Sequence, residues 1–216
     1  MKKIDIDGIE VFVEDNDQYL QINDICDADL SRIWGKIKID YASYDKWLCY
    51  HNTKIPLALL DEIGAVLKDD NIEMRLANNN FNYSEIFGIV RITDENFDEF
   101  SVYHNETNPE MYWTSERIRR DLSRWGIFSL QPDTDTAAYI LLSMWDSVQS
   151  EIYCVEASDR SQCEDLIAYA AKYAFDNSKA EILYMADIDS IGLKAAKAVG
   201  FTVTGVYKGY MIKRSK

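Results

Sequence analysis

Four cysteines, Cys26, Cys49, Cys154 and Cys163, and two histidines, His51 and His104, are the chain's soft ligands and nucleophiles. No pair of cysteines has C-x-x-C spacing, so a zinc site would need scattered residues to converge. A Ser-His-Asp or Cys-His engine is confined to the two histidines, and neither sits in a recognisable nucleophile motif. Reduced thiols in a cytoplasmic protein fit this usage. The carboxylates carry more information. Glu151 opens an alternating segment and Glu156 closes it. Strict alternation puts Glu151, Tyr153 and Val155 on one face and Ile152, Cys154 and Glu156 on the other. Arg160-Ser161-Gln162-Cys163-Glu164-Asp165 follows, and Ser161-x-x-Glu164 reads as a capping box, with Glu164 and Asp165 complementing the positive helix end. Asp189 is expected to cap the helix that Gly200 ends. His104 reads as packed or solvated at a helix end, and Asp94, Glu95, Asp98 and Glu99 as a solvated helix start that also attracts cations.

These residues need elements to position them. Ile4 and Ile6, then Asp7-Gly8, then Ile9, Val11 and Val13 predict a hairpin. A mixed, mainly helical stretch is expected from Asp29 to about Tyr50. A helix from Pro56 to Lys68 follows from Leu59, Leu60, Ile63, Val66 and Leu67, and a short strand covers Ile72 to Leu76. The polar tract 77–82 marks a boundary, giving an N-terminal α+β domain over 1–82 and a second domain over 83–216.

Beyond it come a strand at Phe87 to Ile92, a helix capped by Thr93, and a helix capped by Thr114 or Ser115 carrying Ile118, Leu122 and Trp125. Strands at Ile127 to Gln131, Ala137 to Trp145 and Glu151 to Glu156 follow, with a turn at 132–135. The remainder alternates: a helix from Ser161, a strand at Glu181 to Ala186, a helix at Ser190 to Val199 and a last strand from Phe201. No internal repeat is evident.

The order β-α-α-β-β-β-α-β-α-β from about residue 86 resembles the GNAT superfamily of N-acetyltransferases. Val-Arg-Ile-Thr-Asp-Glu-Asn-Phe (90–97), Tyr112 to Arg117 with Trp125, and Asp187 to Phe201 ending Ala-Val-Gly-Phe carry the likeness. It covers about 130 residues and leaves 1–85 outside. The resemblance implies an α/β (α+β) fold, a mixed sheet flanked by helices. It also implies acetyl-coenzyme A as co-substrate, no metal, and a diphosphate loop of pattern Q/R-x-x-G-x-G/A on the helix amides at Arg160, Ser161, Gln162, Cys163, Glu164 and Asp165. Arg160 fits the first position; Cys163 and Asp165 stand where glycines belong, and Glu164 and Asp165 repel a diphosphate. The resemblance implies the bulge amide at Val155, a coenzyme contact at Asp189 and a glutamate base, for which Glu151 is taken; the family's acidic Tyr falls on Ala196, so the acid is sought in Tyr207 or Tyr210, and Tyr210 is taken.

With 216 residues, 47% of them hydrophobic, the chain has enough material for a real core. The longest apolar run, 137–142, is too short to cross a membrane, and the first residues show no export signal. The net charge is −14, from 9 basic and 17 acidic residues in 1–85 and 14 and 20 in 86–216. That field excludes nucleic acid and anionic lipid as partners and attracts amines; a homodimer is compatible with it. Two functions stay open: acetyl transfer to a primary amine of a small molecule, peptide or protein, and a GNAT-fold binding module without catalysis.

Overall fold

A computed structural model describes residues 1–81, 83–130 and 138–214, so Asn82 and the expected turn at 132–135 lie outside the described residues. The chain divides into two compact units, Met1–Glu73 with Gly205–Lys216, and Met74–Thr204. The last strand therefore counts mainly with the first residues, whereas the sequence placed it in a domain over 83–216.

In the first unit, β1 (Lys2–Ile6), β2 (Ile9–Glu14) and β3 (Tyr19–Asn23) form an antiparallel meander. Its first turn is the Asp7-Gly8 pair, with φ of 52° and 83°, the left-handed values that a tight hairpin needs. Then α1 (Asp27–Asp40) leads to β4 (Asp45–His51), which runs parallel to β3. Leu30, Ile33 and Ile37 put one face of α1 into a core with Leu20, Ile22 and Leu48. After α2 (Leu57–Glu62), β5 (Val66–Ala77) begins in this unit and ends in the other. The expected helix to Lys68 stops early. Gly64 turns left-handed at φ 74° and Ala65 N–H reaches back to the Leu60 carbonyl, so Val66 and Leu67 start a strand.

The second unit holds β6 (Ile89–Arg91), α3 (Phe97–Thr107), α4 (Ser115–Arg120), β7 (Trp125–Leu130), β8 (Ala138–Ser143) and β9 (Gln149–Glu156). These are followed by α5 (Arg160–Asp176), β10 (Glu181–Asp187), α6 (Ile191–Val199) and the start of β11 (Thr202–Ile212). Strands β6 to β9 are antiparallel neighbours, and β10 joins β9 in parallel. Trp125 is a strand residue, contrary to the expected helix: Asp121 leaves helical geometry, and Trp125 pairs with Ser143. The rest of β11 lies antiparallel to β4, Tyr207 to Ile212 against His51 to Lys46.

A repeat of topology joins the two halves. In each, three antiparallel strands lead through a helix to a strand parallel to the third, and then to another helix: β1-β2-β3-α1-β4-α2 and β7-β8-β9-α5-β10-α6. Among the described residues, no helix is long and apolar enough to cross a membrane, all four cysteines are free, and no group of ligating side chains suited to a metal is present.

Candidate functional site

The register of β9 determines which side chains meet. Leu141 pairs with Cys154 but Leu142 with Ile152, so Tyr153 is an extra residue in a β-bulge. Ser143 faces Glu151, Leu141 faces Cys154 and Tyr139 faces Glu156, which puts both glutamates on the same face of β9. Ile152 and Val155 take the other face. The bulge thus overturns the uninterrupted alternation read from the sequence. On its other side β9 pairs with β10 only from Gln149/Glu181 to Ile152/Tyr184. The ladder between β9 and β10 ends at that pair, and Gly192 of α6 lies against Val155 and Tyr184. An ideal Cβ on Gly192 of α6 would crowd Val155 Cγ1 at 3.3 Å and overlap the Tyr184 hydroxyl, so a larger residue there would make Tyr184 shift.

Glu156 lies at the end of β9, half-buried, at the close of a hydrogen-bonded chain whose directions follow from the donors available. The Trp113 carbonyl can only accept, so His104 Nε2, 2.7 Å away, carries the ring proton. His104 Nδ1 is then an acceptor and takes the Tyr139 hydroxyl proton at 2.7 Å. Tyr139 Oη accepts in turn from Asn108 Nδ2 at 2.9 Å, and the same nitrogen donates to Glu156 Oε1 at 3.3 Å. His104 is fully buried and Tyr139 nearly so. Burial pushes the imidazole pKa down and the phenol pKa up, keeping both neutral. The Glu156 carboxyl is pushed above its ordinary value, first by burial and then by Asp187, with the Asn108 bond opposing. Cys154, 3.8 Å from Tyr139 Oη, is pushed up to about 12 by burial, so it is a packed thiol and no nucleophile. Ser115 N–H donates to Asn105 Oδ1 at 3.1 Å and Ser101 Oγ to Ser115 Oγ at 2.8 Å, fastening α3 to α4 and holding His104 and Asn108 in place.

An aromatic wall occupies the face that Trp125 shares with Glu151. Trp113 lies 5.0 Å from Trp125 and 6.0 Å from the bulged Tyr153, and Tyr153 lies 5.4 Å from Trp125, centroid to centroid. Trp145 stands 5.7 Å from Trp113, with Arg124 over its ring at 4.6 Å. Trp145 is 39% exposed and Tyr153 37%, while Trp125 is buried and its indole N–H has no hydrogen-bond partner among the described residues.

The start of α5 differs from its expected form. Asp159 is the N-cap and accepts from Gln162 N–H at 3.0 Å; Ser161 is exposed and caps nothing. Gln162 Oε1 takes Ser158 N–H and Oγ at 3.1 and 2.9 Å, and Glu164 pairs with Arg160 at 2.6 Å instead of reaching back. Asp caps as well as Ser and adds a charge that suits the helix dipole, which explains why the cap falls two residues earlier. Cys163 is buried under the helix. Glu164, Asp165, Ser84, Ile86 and Gly200 line a cavity of about 360 Å³. Burial, then Glu164 and Asp159, raise the Asp165 pKa.

The other expected residues separate. Tyr210 belongs to the first unit, where it pairs with Leu48 and packs edge-on against Tyr50 at 6.0 Å. Asp189 is exposed with φ 62°, and Ser190 caps α6 instead, accepting from Leu193 N–H at 3.0 Å. Ala196 is fully buried. Asn108, Tyr139 and Tyr184 are residues to which sequence reasoning gave no role, and Glu156 was weighed there but Glu151 preferred. Only Glu156 carried a signal, as the strand's last carboxylate.

An acyl-coenzyme A fits this geometry at one end only. The end of the β9–β10 ladder at Ile152 and Tyr184 is where the GNAT resemblance would seat the thioester arm. At the helix start, the Asp159 carboxylate already takes the Gln162 amide, and Glu164 and Asp165 add like charge, which does not suit a diphosphate.

No protein-family model and no curated protein matches the chain. Solved structures do. A GCN5-related N-acetyltransferase from Kribbella flavida aligns with TM-score 0.70 at 12% identity, over 97% of this chain and 88% of its own. A functionally unknown conserved protein from Staphylococcus epidermidis aligns with TM-score 0.72 at 11% identity, over 99% and 94%. A tandem GNAT protein from the clavulanic acid biosynthesis pathway aligns with TM-score 0.55 at 11% identity, over 96% and 79%. The overlap takes in residues 1–85, which the sequence placed outside the resemblance. At such identities the likeness concerns architecture, and the chain carries the GNAT fold along nearly its whole length.

Proposed function

We propose that the chain transfers an acyl group from a thioester to a primary amine, with Glu156 as the base. The observation that carries this reading is a half-buried carboxylate of raised pKa beyond the end of the β9–β10 ladder, held by Asn108. A carboxylate lifted toward neutrality is the better acceptor for the proton that the substrate ammonium must lose before its nitrogen attacks the acyl carbon. The fold likeness makes acetyl-coenzyme A the first donor to test; bound, it would supply an activated acyl carbon. Val155, in the stretch of β9 beyond the last pair with β10, is the residue whose amide would polarise the acyl carbonyl. Tyr184 takes the role assigned to Tyr210: its buried, neutral hydroxyl stands at Gly192 and holds a proton to give. The −14 charge and the aromatic wall favour a cationic amine as acceptor.

A second reading, binding without transfer, is favoured by one specific feature, the acidic start of α5. Calorimetric titration with acetyl-coenzyme A, paired with a thiol-release assay over polyamines, aminoglycosides and basic peptides, separates the two. Transfer that falls at least about 100-fold in Glu156→Gln and less than about threefold in Glu151→Gln supports the first. Absence of thiol release with every acceptor, whether or not acetyl-coenzyme A binds, supports the second.

A further inference from the structure

We propose that Tyr139 and His104 are positioning residues that orient the Asn108 amide, and through it the Glu156 carboxylate, from the fixed backbone carbonyl of Trp113. The inference rests on Glu156 being the base, and its own argument is one of hydrogen-bond direction. A primary amide can present either its NH₂ or its oxygen to a carboxylate, and the second choice sets two acceptors face to face. Rotation of the Asn108 side chain is blocked only if something else demands the NH₂ edge. Tyr139 makes that demand, because its single proton is committed to His104 Nδ1 and its oxygen is left to accept. His104 makes the demand on Tyr139, because its own proton is committed to the Trp113 carbonyl. Each link is 2.7 to 2.9 Å until the last, at 3.3 Å.

The inner links of the chain are dry as well as directed. His104, Tyr139 and Cys154 are buried, and Phe100 stacks on the His104 ring at 5.2 Å while Tyr103 meets Tyr139 edge-on at 5.7 Å. A hydroxyl so enclosed has no water to substitute for a lost partner, so orientation passes along the chain. The other titratable groups close enough to act on Glu156 through space are Cys154 on its own strand, Asp187 and Tyr184 on β10, and Cys163 on α5. Two of these are thiols and one a phenol, all held neutral by burial, and none donates to the carboxylate among the described bonds. Asn108 is thus the donor through which the charged form of Glu156 is steadied. Mutual packing alone would not require the polar identity of Tyr139, since Phe fills the same volume.

The test measures the Glu156 carboxyl directly, by carbon-13 NMR of the labelled full chain across pH, with the resonance assigned by its absence in Glu156→Gln. In Tyr139→Phe the apparent pKa is expected to rise by roughly 0.5 pH unit, and the acid limb of kcat/KM to move with it. Asn108→Leu should raise it at least as far, and the double variant no further than Asn108→Leu alone, because Tyr139 acts through Asn108. His104→Gln, whose amide oxygen still accepts from Tyr139, should keep the parental value; His104→Leu should behave as Tyr139→Phe. The two His104 variants decide the matter where Tyr139→Phe does not fold. An unmoved Glu156 in folded Tyr139→Phe, or additive shifts in the double variant, overturns the proposal. A shifted carboxyl in a protein without transfer activity leaves the positioning chain standing and removes Glu156 as a base.

Discussion

Glu156 and His104 pull stability in opposite directions. The Glu156 pKa is raised in the folded chain, so its contribution is complete below the ordinary carboxylate value and lost as pH rises through the folded one. Glu156→Gln keeps an acceptor for Asn108 and removes the charge, so the unfolding midpoint at pH 7 should rise by roughly 1–3 °C, discounted for the solvent at this half-buried site. Loss of transfer together with a firmer fold in that variant would be the mark of a functional strain. His104 works the other way. Its pKa is lowered below 6.5 by burial, so its contribution is present above 6.5 and lost as pH falls below it. Calorimetric scans from pH 7.5 to 5 should show a falling midpoint in the parent and a flatter profile in His104→Gln.

The start of α5 is hostile to a diphosphate. Asp159 causes most of that hostility, since it both caps α5 and occupies the Gln162 amide. Asp159→Asn retains an N-cap side chain and discards the charge. Coenzyme A should bind several-fold tighter to this variant, a change of about 1 kcal/mol, with the unfolding midpoint nearly unchanged. Equal calorimetric affinities in parent and variant would place the diphosphate away from α5. Glycine at Cys163 is the poorer experiment: that side chain is buried beneath α5, and its removal leaves a cavity.

Strand β11 completes the first unit. Tyr207 to Ile212 give β4 its antiparallel neighbour, and Tyr210 fills a core with Leu48 and Tyr50. Removing 205–216 should therefore expose the amides of β4 and α1 to hydrogen exchange, which mass spectrometry resolves by segment. Protection of β4 equal to the parent's would show that this unit folds without the C-terminal strand. The overall charge of −14 makes a second prediction: the kcat/KM for a cationic acceptor should fall steadily as ionic strength rises, while a neutral amine stays flat.

Much of this architecture was legible from periodicity and punctuation alone. Asp7-Gly8 announced the first hairpin, Gly200 the end of α6, and the apolar spacing of 161–174 the helix α5. These depend on neighbours in sequence, where local sterics decide. What was misread locally was also local: Gly64 ended α2 sooner than the apolar pattern suggested, and Asp159 competed successfully with Ser161 for the cap. The site itself was not legible. Asn108, Tyr139 and Glu156 are far apart along the chain and meet only because β8 and β9 are in one register and α3 lies over them. One extra residue at Tyr153 turned Glu151 onto the face of Glu156, and no pattern of period two contains that information. The topological repeat was hidden for a related reason. Pairing of strands is a matter of backbone bonds, which many side-chain sequences satisfy, so only the tertiary structure displays two halves built alike.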